Sequence, residues 1–374
     1  LFKDVRPDGT TRTGRELKGD FRSGTAWVDD YRFDDLRGYV RWIPEALEVH
    51  DATARLFAGT ARFEYAMAPL GARDVRPVNR FDAAYQDVDL TQFTNFLELR
   101  GLRLAGRASG ENLLVWPSGR WAEHAGAGEV RVLPPPGTEL MTRRMPEARI
   151  AEREAAGPAL GPFSAHTPQQ PVAVGGTLAY AFGPEWVDLG PSRIATEETY
   201  VEIEGRTAYG DRSRLPFHVS SADWQESDRL FAGVLTAFGS PTGAIPIGGY
   251  GTFDGLMLGD FRSPRIEGTF DGRSIRAFDV TWGAVHGDAV IENSYADATG
   301  VVITSGESTI TTDGRFSLGF PRRDGGEEID ARVRISRWPK VDLRQAFGHN
   351  DYDEDWTVSG EFHVYDTNMA PLGV

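Results

Sequence analysis

The chain has 374 residues, 40% of them hydrophobic and 25% charged, an ordinary balance for a folded protein long enough to hold several cores. Its formal net charge of −15 argues against a nucleic-acid partner, which needs a basic stripe, and against adsorption to anionic lipid headgroups. There is no cysteine, which removes disulfides, thiolate nucleophiles and sulfur-ligated metals together.

In chain order, three stretches read as variations on one strand–strand–helix–strand unit. The first has strand patterns at Ala46–Val49, Thr60–Tyr65 and Tyr85–Leu90, with a short amphipathic run to Phe93. The second has Trp186–Leu189, Thr199–Gly205 and Phe217–Asp223, then a helical run to Phe231. The third has Gly300–Ile303, Gly314–Gly319 and Val333–Ile335, then Val341–Phe347. Units kept in fixed order with variable insertions predict a stacked, extended architecture, each unit completing the apolar face of its neighbour.

Period-2 alternation predicts antiparallel strands with one apolar and one solvated face. Ala61, Phe63, Tyr65 and Met67 oppose Arg62 and Glu64; Phe316, Leu318 and Phe320 oppose Arg315 and Ser317; Ala331, Val333 and Ile335 oppose Arg332 and Arg334. Turns are expected at Phe253-Asp254-Gly255, Thr312-Asp313-Gly314 and Arg323-Asp324-Gly325-Gly326. Short helices are expected at Leu90–Leu99, Ala222–Leu235 and Asp342–Phe347, the first two capped by Asp89 and Ser221. Leu133–Pro171 breaks the pattern with eight of the 22 prolines, and Met145–Ala156 reads as a short exposed helix within it, either in a solvated linker or as a docking element. The domain reading is therefore a β-groove repeat over 1–132, a proline-rich insertion over 133–171, and repeats over 172–270 and 271–374.

Signatures of catalysis are sparse. No two of the seven histidines have metal-ligand spacing, and His218 and His363 fall within strand patterns, where a satisfied or solvent-facing ring is the expectation. Asp351-Tyr352-Asp353-Glu354-Asp355 has alternating carboxylates, but Trp356 stands where a calcium loop needs Gly and Phe362 where it needs Glu. The run Gly248–Gly255 does not lead into a helix N-terminus, so it reads as a bulged strand with tight turns instead of a phosphate cradle. A G-x-S-x-G elbow is absent, and carboxylate pairs such as Asp223 and Glu226 carry little weight among 55 acidic residues. The expectation is a non-enzyme with no cofactor and no metal.

The pattern Val88-Asp89-Leu90-x-Gln92-Phe93, the Leu102–Gly110 run after it, and the echo at Val341–Phe347 followed by Val358-Ser359-Gly360-Glu361 resemble AsmA-like and TamB (translocation and assembly module) proteins. The stretch Leu215–Gly255, with Asp223-Trp224-Gln225-Glu226-Ser227-Asp228, has the same likeness. The resemblance implies a periplasm-spanning β-groove, anchored in the inner membrane, that carries phospholipid towards the outer membrane. Outer-membrane assembly proteins are its implied partners at the distal end. The chain starts at Leu1 and ends at Gly373-Val374, straight after a strand-like run, so it is expected to be a middle segment whose anchor and export signal lie elsewhere.

The expected fold is all-β: a curled, mostly antiparallel sheet forming an elongated open trough, with a few short helices. Its expected lining is Phe63, Tyr65, Val201, Ile203, Phe316, Leu318, Val333 and Ile335. Acyl chains suit such a face, at about 0.8 kcal/mol per buried CH₂. Two other readings share the pattern: an envelope scaffold binding protein or glycan through its outer face, and a carbohydrate-active enzyme on a β-solenoid. A closed sandwich would bury the same alternation against protein.

Overall fold

The computed structural model describes residues 2–5, 11–28, 31–72, 74–97, 102–156, 171–237, 247–277, 280–318, 329–346 and 356–365. Over these residues it is all-β, 69% strand and 12% helical, its long strands paired antiparallel, with four short helices. The chain folds as two compact units, one comprising 1–98, 103–137 and 171–192, the other 99–102, 138–170 and 193–374.

In the first unit β1 (Phe2–Val5) and β2 (Thr11–Gly14) form a small ribbon. Five long strands then pair each with the next: β3 (Leu17–Val28), β4 (Tyr31–Ile43), β5 (Ala46–Leu56), β6 (Gly59–Ala68) and β7 (Val78–Asp89). After α1 (Leu90–Phe96) and the two-residue β8 (Leu104–Ala105), the ladder resumes through β9 (Arg107–Pro117) and β10 (Ala125–Leu133). Beyond α2 (Glu147–Ala156), which belongs to the second unit, β11 (Val172–Ala173) pairs in parallel with β8, and β12 (Gly175–Gly183) pairs with β10.

Strand β13 (Trp186–Ala195) leads into the second unit. There β14 (Thr199–Ala208) and β15 (Ser213–Ser221) are followed by α3 (Trp224–Ala237). An unbroken meander continues through β16 (Ile247–Asp260), β17 (Ser263–Ala277), β18 (Val280–Glu292), β19 (Tyr295–Ser305), β20 (Ser308–Ser317) and β21 (Ile329–Pro339). After α4 (Lys340–Ala346), β22 (Thr357–Tyr365) pairs with β21.

Three times a run of three strands leads straight into a helix: β5–β7 into α1, β13–β15 into α3, and β19–β21 into α4. Asp89 caps α1 as expected, its carboxylate accepting from the Gln92 N–H at 3.1 Å. Ser221 does not cap α3. The helix starts two residues later, Asp223 accepts from the Gln225 N–H at 2.9 Å, and the Ser221 hydroxyl accepts from Ser227 instead. Two expected turns are also overturned, since Phe253–Gly255 lies inside β16 and Thr312–Gly314 inside β20. Glycine there serves close approach between strands, not chain reversal. The bulge expected at Gly248–Gly255 is present, with a register shift between Gly248 and Tyr250 and φ of +103° at Gly249, which only glycine adopts without strain. The remaining expected turn, Arg323–Gly326, together with Phe320, Phe347 and the acidic run 351–355, lies outside the described residues.

Burial gathers where a helix lies over strands. Beside α1, Val88, Leu90, Ala108 and Val174 form one closed cluster with Phe57, Tyr85 and Phe93 against it. Under α3, Val219, Trp224 and Ile275 form another. Trp338, where β21 meets α4, is fully buried, and its ring centroid is 5.8 Å from that of Trp282.

Candidate apolar binding face

Residues opposite one another in an antiparallel ladder share a face, so the registers sort every strand position. In the first unit one such row is Val49, Tyr65, Phe81, Leu114, Gly126 and Phe182. The adjacent row on the same face is Ala52, Phe63, Ala83, Asn112, Gly128 and Tyr180. Phe63 and Tyr65 therefore share a face, as expected. Phe63 sits between Phe33 and Phe81, with ring centroids 6.1 and 5.6 Å away.

In the second unit a row runs Leu215, Met257, Ile266, Ile291, Ala296, Phe316 and Ile329. Beside it, one pleat along, Ile203 and Phe217 face Gly255 and Gly268, and the row ends in Gly314 and Ala331. One further pleat brings Val201, Val219, Phe253 and Phe270 onto this face. Val333 lies opposite Thr312 and Phe362, and Ile335 opposite Ile310, both on the same side. The structure thus brings Val201, Ile203, Phe316, Val333 and Ile335 onto one face of one unit. Leu318 follows the last residue of β20, its N–H donating to the Ser294 carbonyl.

All eight expected lining residues are half-buried, neither closed off nor free. On the same side of the second unit, Val219 and Ile275 under α3 reach 2% and 5% exposure. Leu215, Ile310 and Ala331 on this face are also closed, at 5%, 4% and 1%, so the half-buried apolar positions lie between closed ones.

Several contributors were not readable in advance. Phe217, Phe253 and Phe270 lie flat because glycines sit beneath them; a methyl group at Gly268 would meet Phe253 Cζ at 2.8 Å, and one at Gly126 would meet Phe182 Cζ at the same distance. The available signal was alternation through Phe253, Gly255 and Met257, which a turn assignment hides. Polar groups on the first unit's apolar face are paired internally. Tyr65 Oη donates to Asn79 Oδ1 at 2.7 Å, Asn79 Nδ2 donates to the Trp116 carbonyl, and the Tyr180 hydroxyl donates to Asn112. Burial pushes the Tyr85 phenol up to about 12, so it stays neutral.

The opposite face carries charge. Arg315 grips Asp297 at 2.7 Å and holds its carboxyl below the ordinary range; Arg265 bridges Glu267 and Glu292 at 2.8 and 3.1 Å. His218 and His363, the two strand histidines, pair with Asp254 at 2.6 Å and Asp330 at 2.7 Å. His218 also meets Ser220 Oγ at 2.8 Å, completing a Ser–His–Asp line. Yet Ser220 is 1% exposed and its hydroxyl donates to the Arg143 carbonyl, so it fastens the 138–146 segment and presents no accessible nucleophile. Met141 N–H to the Thr196 carbonyl and the Arg143–Glu202 ion pair fasten it further, and α2 docks through Arg149 and Arg153 on Glu198.

Glu226 on α3 makes this unit sensitive to pH. Burial, then the neighbouring Glu198, Asp223 and Glu197 carboxylates, raise its pKa above 4.5, while a bond from Thr196 opposes them. The folded state holds its proton more tightly than the unfolded chain. Stability from this group is therefore full below pH 4.5 and is lost as pH rises through the raised value. Glu226→Gln, which mimics the protonated form, is expected to melt above the parent at neutral pH and level with it at pH 4. A constant difference between the two melting temperatures over that range would reject this.

Among the described residues no cluster of His, Cys, Asp or Glu can hold a metal ion, and no helix is long and apolar enough to cross a membrane. Comparison with protein-family models, curated proteins and solved structures returns no match.

Proposed function

We propose that these apolar faces take up acyl chains, and that the chain is a segment of a lipid-transfer conduit carrying phospholipid across the bacterial periplasm. The observation behind this reading is the half-burial of Phe63, Tyr65, Val201, Ile203, Phe316, Val333 and Ile335 beside helix-sealed clusters that are nearly closed. A packed core would close these positions as well. Leaving them open to water forfeits roughly 25 cal/mol for every Å² of apolar surface, and alkyl chains restore that without demanding hydrogen bonds. The internal pairing of Tyr65, Asn79, Asn112 and Tyr180 favours the same ligand, because it leaves these groups satisfied beside hydrocarbon. The resemblance to AsmA-like and TamB proteins supplies the cellular setting: an inner-membrane anchor outside this segment and outer-membrane assembly proteins at the far end.

The test is what co-purifies. Chain purified from a bacterial envelope in mild detergent, then extracted and analysed by mass spectrometry, is expected to carry phospholipid. Extracts free of lipid, with glycan retained on an array by the charged face, would replace this reading with that of an adhesive scaffold.

A further inference from the structure

We infer that the charged face of the first unit holds a binding groove for a phosphate ester, distinct from the apolar face behind it. One cross-strand row on this face runs Arg22, Arg37, Thr53, Arg62, Ala84 and Glu111 over six neighbouring strands. The next row brings Arg55, Thr60 and Gln86 alongside. Both rows line a cavity of ≈ 1100 Å³, to which the intervening positions Leu36, Ala54, Ala61, Tyr85 and Gly110 also contribute.

Charge sets this groove apart. It is lined by four arginines and two carboxylates, Asp35 and Glu111, in a chain of net charge −15. Two of the four cations are already spoken for, Arg55 by Asp35 at 2.7 Å and Arg62 by Asp51. The other two stand directly opposite each other on β3 and β4. Among the described residues, Arg37 donates only to the Thr53 hydroxyl at 3.0 Å, and neither Arg22 nor Arg37 pairs with a carboxylate. Like charges directly opposite on a sheet destabilise it, so folding alone does not favour this placement. A tetrahedral phosphate does: two adjacent guanidinium forks grip separate oxygens of one group, and the hydroxyls of Thr53 and Thr60 offer further donors. The volume exceeds what an inorganic ion fills, which points to a phosphate carried on a larger body. That body is either a soluble phosphate ester or a lipid headgroup.

Two probes separate these sources: glycerol 3-phosphate by calorimetry at low salt, and flotation with phosphatidylcholine vesicles with or without phosphatidic acid. The parent chain is expected to bind at least one phosphate probe, with affinity falling as salt is added. Soluble binding alone identifies a free ester; vesicle binding that requires phosphatidic acid identifies a headgroup. Arg22→Gln with Arg37→Gln should weaken binding at least about tenfold, the worth of a charge-assisted bond. Without ligand the same variant should melt at or above the parent, because a like-charge contact is gone. Glu111→Gln removes a carboxylate from the wall and should tighten binding. A parent that binds neither probe, or a double variant that binds as the parent does, overturns the inference. None of these results depends on whether the apolar face holds acyl chains.

Discussion

Val333→Asp and Phe316→Asp are expected to abolish phospholipid loading while lowering stability by only about 1 kcal/mol, the usual effect of a substitution that creates neither a cavity nor a closed-in charge. Both side chains are half-buried on the apolar face, where a carboxylate still reaches water. At position 333 it also meets Thr312 Oγ1, a buried hydroxyl that has no partner among the described residues and can donate to it. The same carboxylate places a charge in the path of acyl chains, which cannot solvate it. Ala331, one pleat from Val333, is the control. It is 1% exposed and wedged against Gly314, so Ala331→Asp should cost several kcal/mol and unfold the unit. Lipid extraction and thermal melts on the three variants, run together, make the comparison. Normal loading in stable Val333→Asp and Phe316→Asp would remove these positions from the lipid path; unfolding of all three would mean that this face is a closed core.

Trp338→Ala carries the largest expected loss of stability, about 3–5 kcal/mol for deleting a fully buried indole. Trp338 has no exposed surface, lies against Trp282, and sits where a register shift and the positive φ of Arg337 turn β21 into α4. Among the described residues its Nε1 is buried without a partner, an uncompensated desolvation. Trp338→Phe keeps most of the ring and removes that N–H, so it should cost well under half as much as the alanine. Urea midpoints for the two variants decide the matter; equal losses would mean that the indole nitrogen is satisfied and that volume is not what Trp338 supplies.

Three features were legible without coordinates: the all-β class, the three strand runs that each feed a short helix, and the sidedness of Phe63, Tyr65, Val333 and Ile335. Each depends on neighbours in the chain, and period-2 alternation or an Asp at a helix entry is a local property. Helix α2 in the proline-rich insertion was legible for the same reason, while its docking on Glu198 was not. The errors also have a local cause. Asp-Gly pairs at 254–255 and 313–314 have turn chemistry, yet in the fold those glycines lie under Phe217 and against Ala331 of the neighbouring strand. Ser221 has cap chemistry, yet the helix begins at Trp224 and Asp223 takes that role. Register was beyond reach of the sequence, because pairing depends on partners tens of residues away. Register alone aligned Phe316 with Ile266 and Ile291 and set Arg22 against Arg37. Alternation says that a strand has an apolar side; only packing decides whether that side meets protein or stays open.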